Sequence, residues 1–200
     1  AEPMPKIGSW VVEDKFANGR PAWDKDGHAM FVPDVLPYEK MKLRILNVSH
    51  SLMACLGDLA GMPFIHQTMQ DPTINLAIAT LMDNETGPTL LPVPGIDLAA
   101  YKKEIRARFA NPNVEDTTWR VAKDAPLKVV LDSARDQLES GGSYELLALN
   151  TAAWMYRFSV DENELGGKVD AVHPMADILK AKAKEGGDDP TAMFSIKEVF

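Results

Sequence analysis

The chain has 200 residues, 46% of them hydrophobic and 25% charged, which is enough apolar material for one substantial core. A formal net charge of −8 repels phosphate backbones and argues against nucleic acid as a partner. The single cysteine, Cys55, excludes a disulfide framework and suits a reducing, cytoplasmic setting, and no apolar run approaches the roughly 20 residues a membrane helix needs.

The chain opens on Ala1-Glu-Pro-Met-Pro5, which is neither a signal peptide nor an initiator methionine, and so reads as a piece or a processed product of something longer. Residues 1–36 read as extended or irregular. Trp10-Val-Val12 and Met30-Phe-Val32 are short strand-type stretches, separated by turn signals at Gly19-Arg-Pro21 and Asp26-Gly27. From Pro37 onward the pattern is helical. Tyr38 to Gly61 contains no further proline, and Pro37 suits a first helical turn. Breakers and capping residues then predict helices at 71–84, 97–110, 114–123, 126–139 and 144–158, with a last one from about Pro174 to Gly186-Gly187. Residues 161–172 read as a polar loop between the bundle and a C-terminal extension. The two N-x-S/T sequons, at Asn47 and Asn84, are incidental; the first falls inside an apolar helix.

The segment Tyr38–Gly61 carries Met41, Leu43, Ile45, Leu46, Val48, Leu52, Met53, Leu56 and Leu59, with no clean polar face. A helix that is apolar all round is a buried helix. It nevertheless also holds Glu39, Lys42, Arg44, Asn47 and His50, and buried polar groups need partners. At about 100° per residue, Lys42, His50 and Asn47 fall at about 0°, 80° and 140° around the axis, on one broad side. Glu39 can reach Lys42 at i,i+3. Such residues most often form a satisfied core network, or a lysine that snorkels to solvent. The same set can also do chemistry. A desolvated lysine loses its preference for the charged form and can accept a proton from an alcohol, while asparagine and histidine donate hydrogen bonds to the oxygen left behind.

The surrounding residues tip the balance. Trp10-Val-Val-Glu-Asp-Lys-Phe16, Gly19-Arg-Pro-Ala-Trp23, Asp34-Val35, Pro37-Tyr-Glu39 and Met41-Lys-Leu-Arg-Ile-Leu-Asn-Val-Ser-His50 resemble the polyol-specific long-chain dehydrogenases, the family of mannitol 2-dehydrogenase and fructuronate reductase. The likeness continues through Leu56-Gly-Asp-Leu-Ala-Gly61, Pro88-Thr-Leu90, Arg108-Phe-Ala-Asn-Pro112 and Trp154-Met-Tyr-Arg157. The resemblance implies a mainly α fold, a multi-helix bundle like the C-terminal domain of 6-phosphogluconate dehydrogenase-like proteins. It also implies Lys42 as general base, Asn47 and His50 as holders of the alkoxide, and Glu39 as the link for proton exchange with solvent. Arg120, in Thr118-Trp-Arg-Val-Ala122, and Lys128 match basic residues expected to bind sugar hydroxyls; without the resemblance, Arg120 would read as one half of an ion pair and Lys128 as a solvated surface residue. Val48 stands where the family usually has a small residue. Asp124-Ala-Pro-Leu-Lys-Val-Val130 replaces the usual loop before Lys128, so the substrate is less fixed than the reaction.

The family implies an N-terminal nucleotide-binding domain, and this sequence has no G-x-G-x-x-G fingerprint. The expectation is therefore a helical catalytic and substrate domain over 37–200, joined through 1–36 to a Rossmann domain outside the sequence that holds NAD or NADP. The partner would be a sugar alcohol or its ketose, or alternatively a sugar acid of the fructuronate or mannonate type. A non-catalytic helical binding or assembly module is the competing class. No metal is expected, because His28, His50, His66 and His173 lack metal-ligand spacing. Cys55 reads as a core residue.

Overall fold

A computed structural model describes residues 10–25 and 29–200. The turn expected at Asp26-Gly27 lies outside the described residues. Two short strands, β1 (Val11–Glu13) and β2 (Met30–Val32), pair in parallel with Val11 opposite Met30. Trp10 stacks on Trp23 at 4.7 Å between ring centroids, and Phe16 and Phe31 complete an aromatic cluster beside the strands. Trp10 is 51% exposed and Trp23 42%, so one face of this cluster is uncovered.

The rest is helical. The expected single helix over 38–61 is three segments in succession: α1 (Leu36–Met41), a π-helical turn (Lys42–Asn47) and α2 (Val48–Leu59). In the π turn the N–H of Val48 donates to the carbonyl of Leu43, five residues back, where an α-helix would reach four. After α2 come α3 (Ile65–Gln70), α4 (Pro72–Thr80), a second π turn (Leu81–Thr86) running into a short 3-10 turn (Gly87–Thr89), and α5 (Leu98–Phe109). Then follow α6 (Thr118–Lys123), α7 (Leu127–Ser140), α8 (Glu145–Tyr156), α9 (Ala176–Gly186) and α10 (Thr191–Phe194).

Local chemistry explains most boundaries. Asp71 and Asp97 accept from the first free N–H groups of α4 and α5, and Thr117 does so for α6. Gly141, at φ +72°, ends α7 in the left-handed conformation that glycine tolerates. The helix expected at 114–123 starts only at Thr118, because residues 111–117 form turns whose backbone pairs with the start of α3. The short α3 and α10 carry too few residues to show a period and were not expected. The loop 161–172 is less polar in its setting than its sequence suggests: Val169 and Ala171 are buried.

The core surrounds α2. Ile45, Val48, Leu52, Met53, Ala54 and Cys55 are fully buried, as the apolar pattern requires. At Gly57 of α2 an added Cβ would lie 2.5 Å from Thr68 Cγ2 of α3 and 2.7 Å from Thr118 Cγ2 of α6. Glycine there lets α3 and α6 approach α2 nearly to backbone contact. Most buried polar side chains are paired, with Ser49 Oγ, His66 Nδ1 and Arg106 Nε as exceptions among the described residues. Asn150 of α8 donates to the Val48 carbonyl at 2.9 Å and accepts from Ser51 Oγ at 2.9 Å. Glu85, in the second π turn, accepts from the N–H groups of Leu146 and Leu147 at 2.9 and 2.8 Å, which caps α8 from outside its own segment. Arg44 of the first π turn reaches Asp136 of α7 at 2.6 Å and the Thr89 carbonyl at 3.3 Å.

Arg157 and Asp58 form the most deeply buried ion pair, Nε to Oδ2 at 2.7 Å with the two side chains 1% and 9% exposed. Arg157 also points at the carbonyls of Ala122 and Asp170, so one guanidinium ties α8 to α2, α6 and the C-terminal loop. Replacing Arg157 by leucine leaves the Asp58 carboxylate buried and uncompensated, and urea denaturation is expected to show a loss of about 3–5 kcal/mol. The double variant Asp58→Leu/Arg157→Leu should recover part of that loss; no recovery would mean that the guanidinium acts through its carbonyl contacts instead.

Candidate active site

The sequence reading treats Lys42 as desolvated on a buried helix. The structure differs: Glu39 and Lys42 are exposed, Asn47 and His50 half-buried. The apolar residues of the segment turn inward, which leaves a polar edge from Glu39 through Lys42. The π turn also changes the spacing. Each residue of a π turn advances around the axis by less than the α-helical step of about 100°, so Asn47 and His50 fall back toward the azimuth of Lys42. The three residues are thus closer in phase than a regular helix would place them.

His50 sits in the first turn of α2 with its ring stacked on Phe109 of α5, 4.9 Å between centroids and 21° between planes. Its Nε2 faces Oδ2 of Asp116 at 3.8 Å. Burial pushes the His50 pKa down to about 4; the Asp116 carboxylate opposes that shift, and the positive Arg120 and Arg108 add to it. At neutral pH the ring is therefore uncharged, and the Asp116 contact is a carboxylate facing a neutral imidazole. Asp116 Oδ1 meanwhile takes Nε of Arg120 at 2.7 Å and also Nη2 of the same guanidinium.

The structure thus brings together His50 on α2 and Arg120 on α6, with Asp116 between them. Leu46, His50, Ile65, Arg108, Phe109, Val114 and Asp116 line a small cavity of about 60 Å³. That is room for a few water molecules and not for a six-carbon chain. Lys128, in the first turn of α7, is exposed. Among the described residues the side chains of Glu39, Lys42, Asn47 and Lys128 make no hydrogen bond or ion pair with protein groups. They are free to meet a ligand, and this chain alone does not enclose them. A much larger groove of about 990 Å³ lies between α7, α8, α9 and α10, lined by Ala148, Met155, Phe158, Ala183 and Met193, and none of the candidate residues borders it.

Asp116 and Phe109 escaped the sequence reading. A signal existed for Asp116, four residues before Arg120 with the opposite charge. Phe109 stood inside a quoted motif, yet only the fold lays its ring against His50. No three His, Cys, Asp or Glu side chains converge on a metal-sized site among the described residues. No described helix is long and apolar enough to cross a membrane.

The lowered His50 pKa has a stability consequence. The unfolded ring titrates near 6.5 and the folded one near 4, so the native state binds fewer protons between those values. Stability should be fully present above pH ~6.5 and fall as the pH drops toward 4, by up to about 3 kcal/mol. An NMR titration should find the His50 ring neutral at pH 5; a midpoint near 6.5 would contradict this environment.

The geometry can be set beside known proteins. Residues 34–200 match the family model described as "Mannitol dehydrogenase C-terminal domain". The chain is 43% identical over 196 residues to D-mannonate oxidoreductase of Escherichia coli, covering 96% of this chain and 40% of that protein. It is 37% identical over 196 residues to mannitol 2-dehydrogenase of Pyricularia oryzae, covering 96% of this chain and 39% of that protein. Its fold superposes on Pseudomonas fluorescens mannitol 2-dehydrogenase, solved in a ternary complex with NAD and D-mannitol, with TM-score 0.86 and 35% identity over 95% of this chain and 39% of that one. The chain therefore spans about two fifths of the length of these relatives. The helical bundle built around α2 belongs to the mannitol dehydrogenase C-terminal domain family.

Proposed function

We propose that this chain is the catalytic and substrate-binding half of a NAD(P)-dependent secondary-alcohol dehydrogenase that interconverts a sugar alcohol, mannitol foremost, and its ketose. The observation that carries the reading is the placement of Lys42 and Asn47 on one widened turn that runs directly into the first turn of α2, where His50 is kept neutral. In this reading Lys42 takes the hydroxyl proton of the substrate. Asn47 and the neutral His50 donate hydrogen bonds to the oxygen as negative charge develops there. A neutral imidazole can fill that role, because one of its two ring nitrogens carries an N–H that can donate. Glu39, one turn before Lys42 and equally exposed, passes the proton to solvent. Arg120 and Lys128 bind the remaining hydroxyls.

The described residues offer no cradle for a dinucleotide: β1 and β2 are joined without a crossover helix, and no glycine-rich turn leads from a strand into a helix. The chain's own residues supply proton and oxygen chemistry, and NAD or NADP is held by an N-terminal nucleotide-binding domain of the same protein. Two features support this division. The cavity beside His50 is too small for a polyol, and the parallel β1–β2 pair with its half-exposed tryptophans is the kind of sheet edge that a larger parallel sheet covers. Cover by that domain would also remove Lys42 from water, which disfavours the charged ammonium, as a general base requires.

A sugar acid is the second reading, because the mannonate oxidoreductase is the more similar of the two curated relatives described above. Recognition of its carboxylate wants a free bidentate arginine. The fork of Arg120 is already engaged by Asp116, which favours the uncharged polyol.

In the intact two-domain protein, Lys42→Ala should lower kcat by roughly two orders of magnitude or more with a modest change in KM. A nearly unchanged kcat would refute the dehydrogenase role and leave a helical binding module. The 200-residue chain by itself should give no NAD-dependent oxidation of mannitol, and measurable turnover by it would overturn the division of labour.

A further inference from the structure

Asp116 touches both halves of the site and is unusually well fixed. Its N–H donates to the Val114 carbonyl at 2.8 Å, and its own carbonyl accepts from the Ile65 N–H at 2.9 Å. The next residue, Thr117, forms an antiparallel bridge with Phe64 and accepts the Arg120 N–H on its hydroxyl at 3.3 Å. The side chain is 18% exposed. Both Arg120 donors fall on Oδ1, which leaves Oδ2 directed at His50 Nε2. A separation of 3.8 Å is too long for a hydrogen bond, so Asp116 does not consume the donor capacity of the ring. It is short enough for the carboxylate charge to favour a proton on the nearer nitrogen. His50 and Asp116 both border the small cavity, and Phe109 stacks on the ring from one side.

We propose that Asp116 is a positioning residue, which holds the His50 ring in the Nε2–H tautomer as a donor to the substrate oxygen and holds the fork of Arg120 on its other carboxylate oxygen. Its effect on turnover rests on the dehydrogenase reading above, whereas its effect on the imidazole does not. A purely structural ion pair with Arg120 would anchor α6 and leave the tautomer of His50 untouched.

Two measurements test this. Nitrogen-15 NMR of the chain at pH 7, with the His50 signals assigned by His50→Gln, should show Nε2–H in the unmodified protein. Asp116→Asn should shift the ring toward Nδ1–H, and Asp116→Glu should keep it. In the two-domain protein Asp116→Asn should lower kcat for mannitol about tenfold or more, as expected for a misdirected oxyanion donor, and Asp116→Glu should recover most of it. An Nδ1–H ring in the unmodified protein overturns the proposal outright, including where Asp116→Asn fails to fold. An unchanged tautomer and kcat in a folded Asp116→Asn also overturns it. If Lys42→Ala leaves turnover intact, the dehydrogenase reading has failed, and the NMR result still decides the role of Asp116 toward His50.

Discussion

The close approach of three helices at Gly57 sets the geometry on which the rest depends. With no Cβ there, Thr68 of α3 and Thr118 of α6 press directly against the backbone of α2. Thr118 is then locked to the loop after α2: its hydroxyl donates to the Met62 carbonyl at 2.8 Å and its N–H to the Pro63 carbonyl at 3.1 Å. That seat delivers Asp116 and Arg120 to the side of His50. A Cβ at position 57 would collide with both threonine methyls, which would have to shift.

Three buried polar side chains, Arg157, Glu85 and Asn150, serve the same end by joining elements that are distant in sequence. Arg157 draws α8 toward α2 and α6, and Glu85 fixes the start of α8. Asn150 holds α8 on the Val48 carbonyl, where the π turn gives way to α2. A buried ion pair such as Arg157–Asp58 adds little net stability over an apolar packing of equal volume, but buried polar contacts tolerate few alternative arrangements. Here they fix the register of α8 against the turn that carries Lys42 and Asn47. The π turn thus sits between a rigid, buried helix on one side and an exposed polar edge on the other.

The exposure of that edge and the smallness of the cavity point the same way. His50 is already shielded by Phe109 and neutral, whereas Glu39, Lys42 and Lys128 stand open.

The sequence by itself determined the elements that depend on local chemistry. Apolar period, capping aspartates, prolines and glycines located most of the helices, and the all-round apolar pattern of 38–61 marked the helix that would be buried. The Lys42, Asn47, His50 spacing and the residues around it marked the family. Sequence could not show the π turn, because nothing in the residue pattern distinguishes an i→i+5 bond from the usual i→i+4 bond. It could not show that Lys42 is exposed, since burial depends on which faces neighbouring helices cover. Nor could it join Asp116 and Phe109 to His50. Those residues lie some 60 positions along the chain, and only the fit of α5 and α6 against α2 decides their distance from the ring.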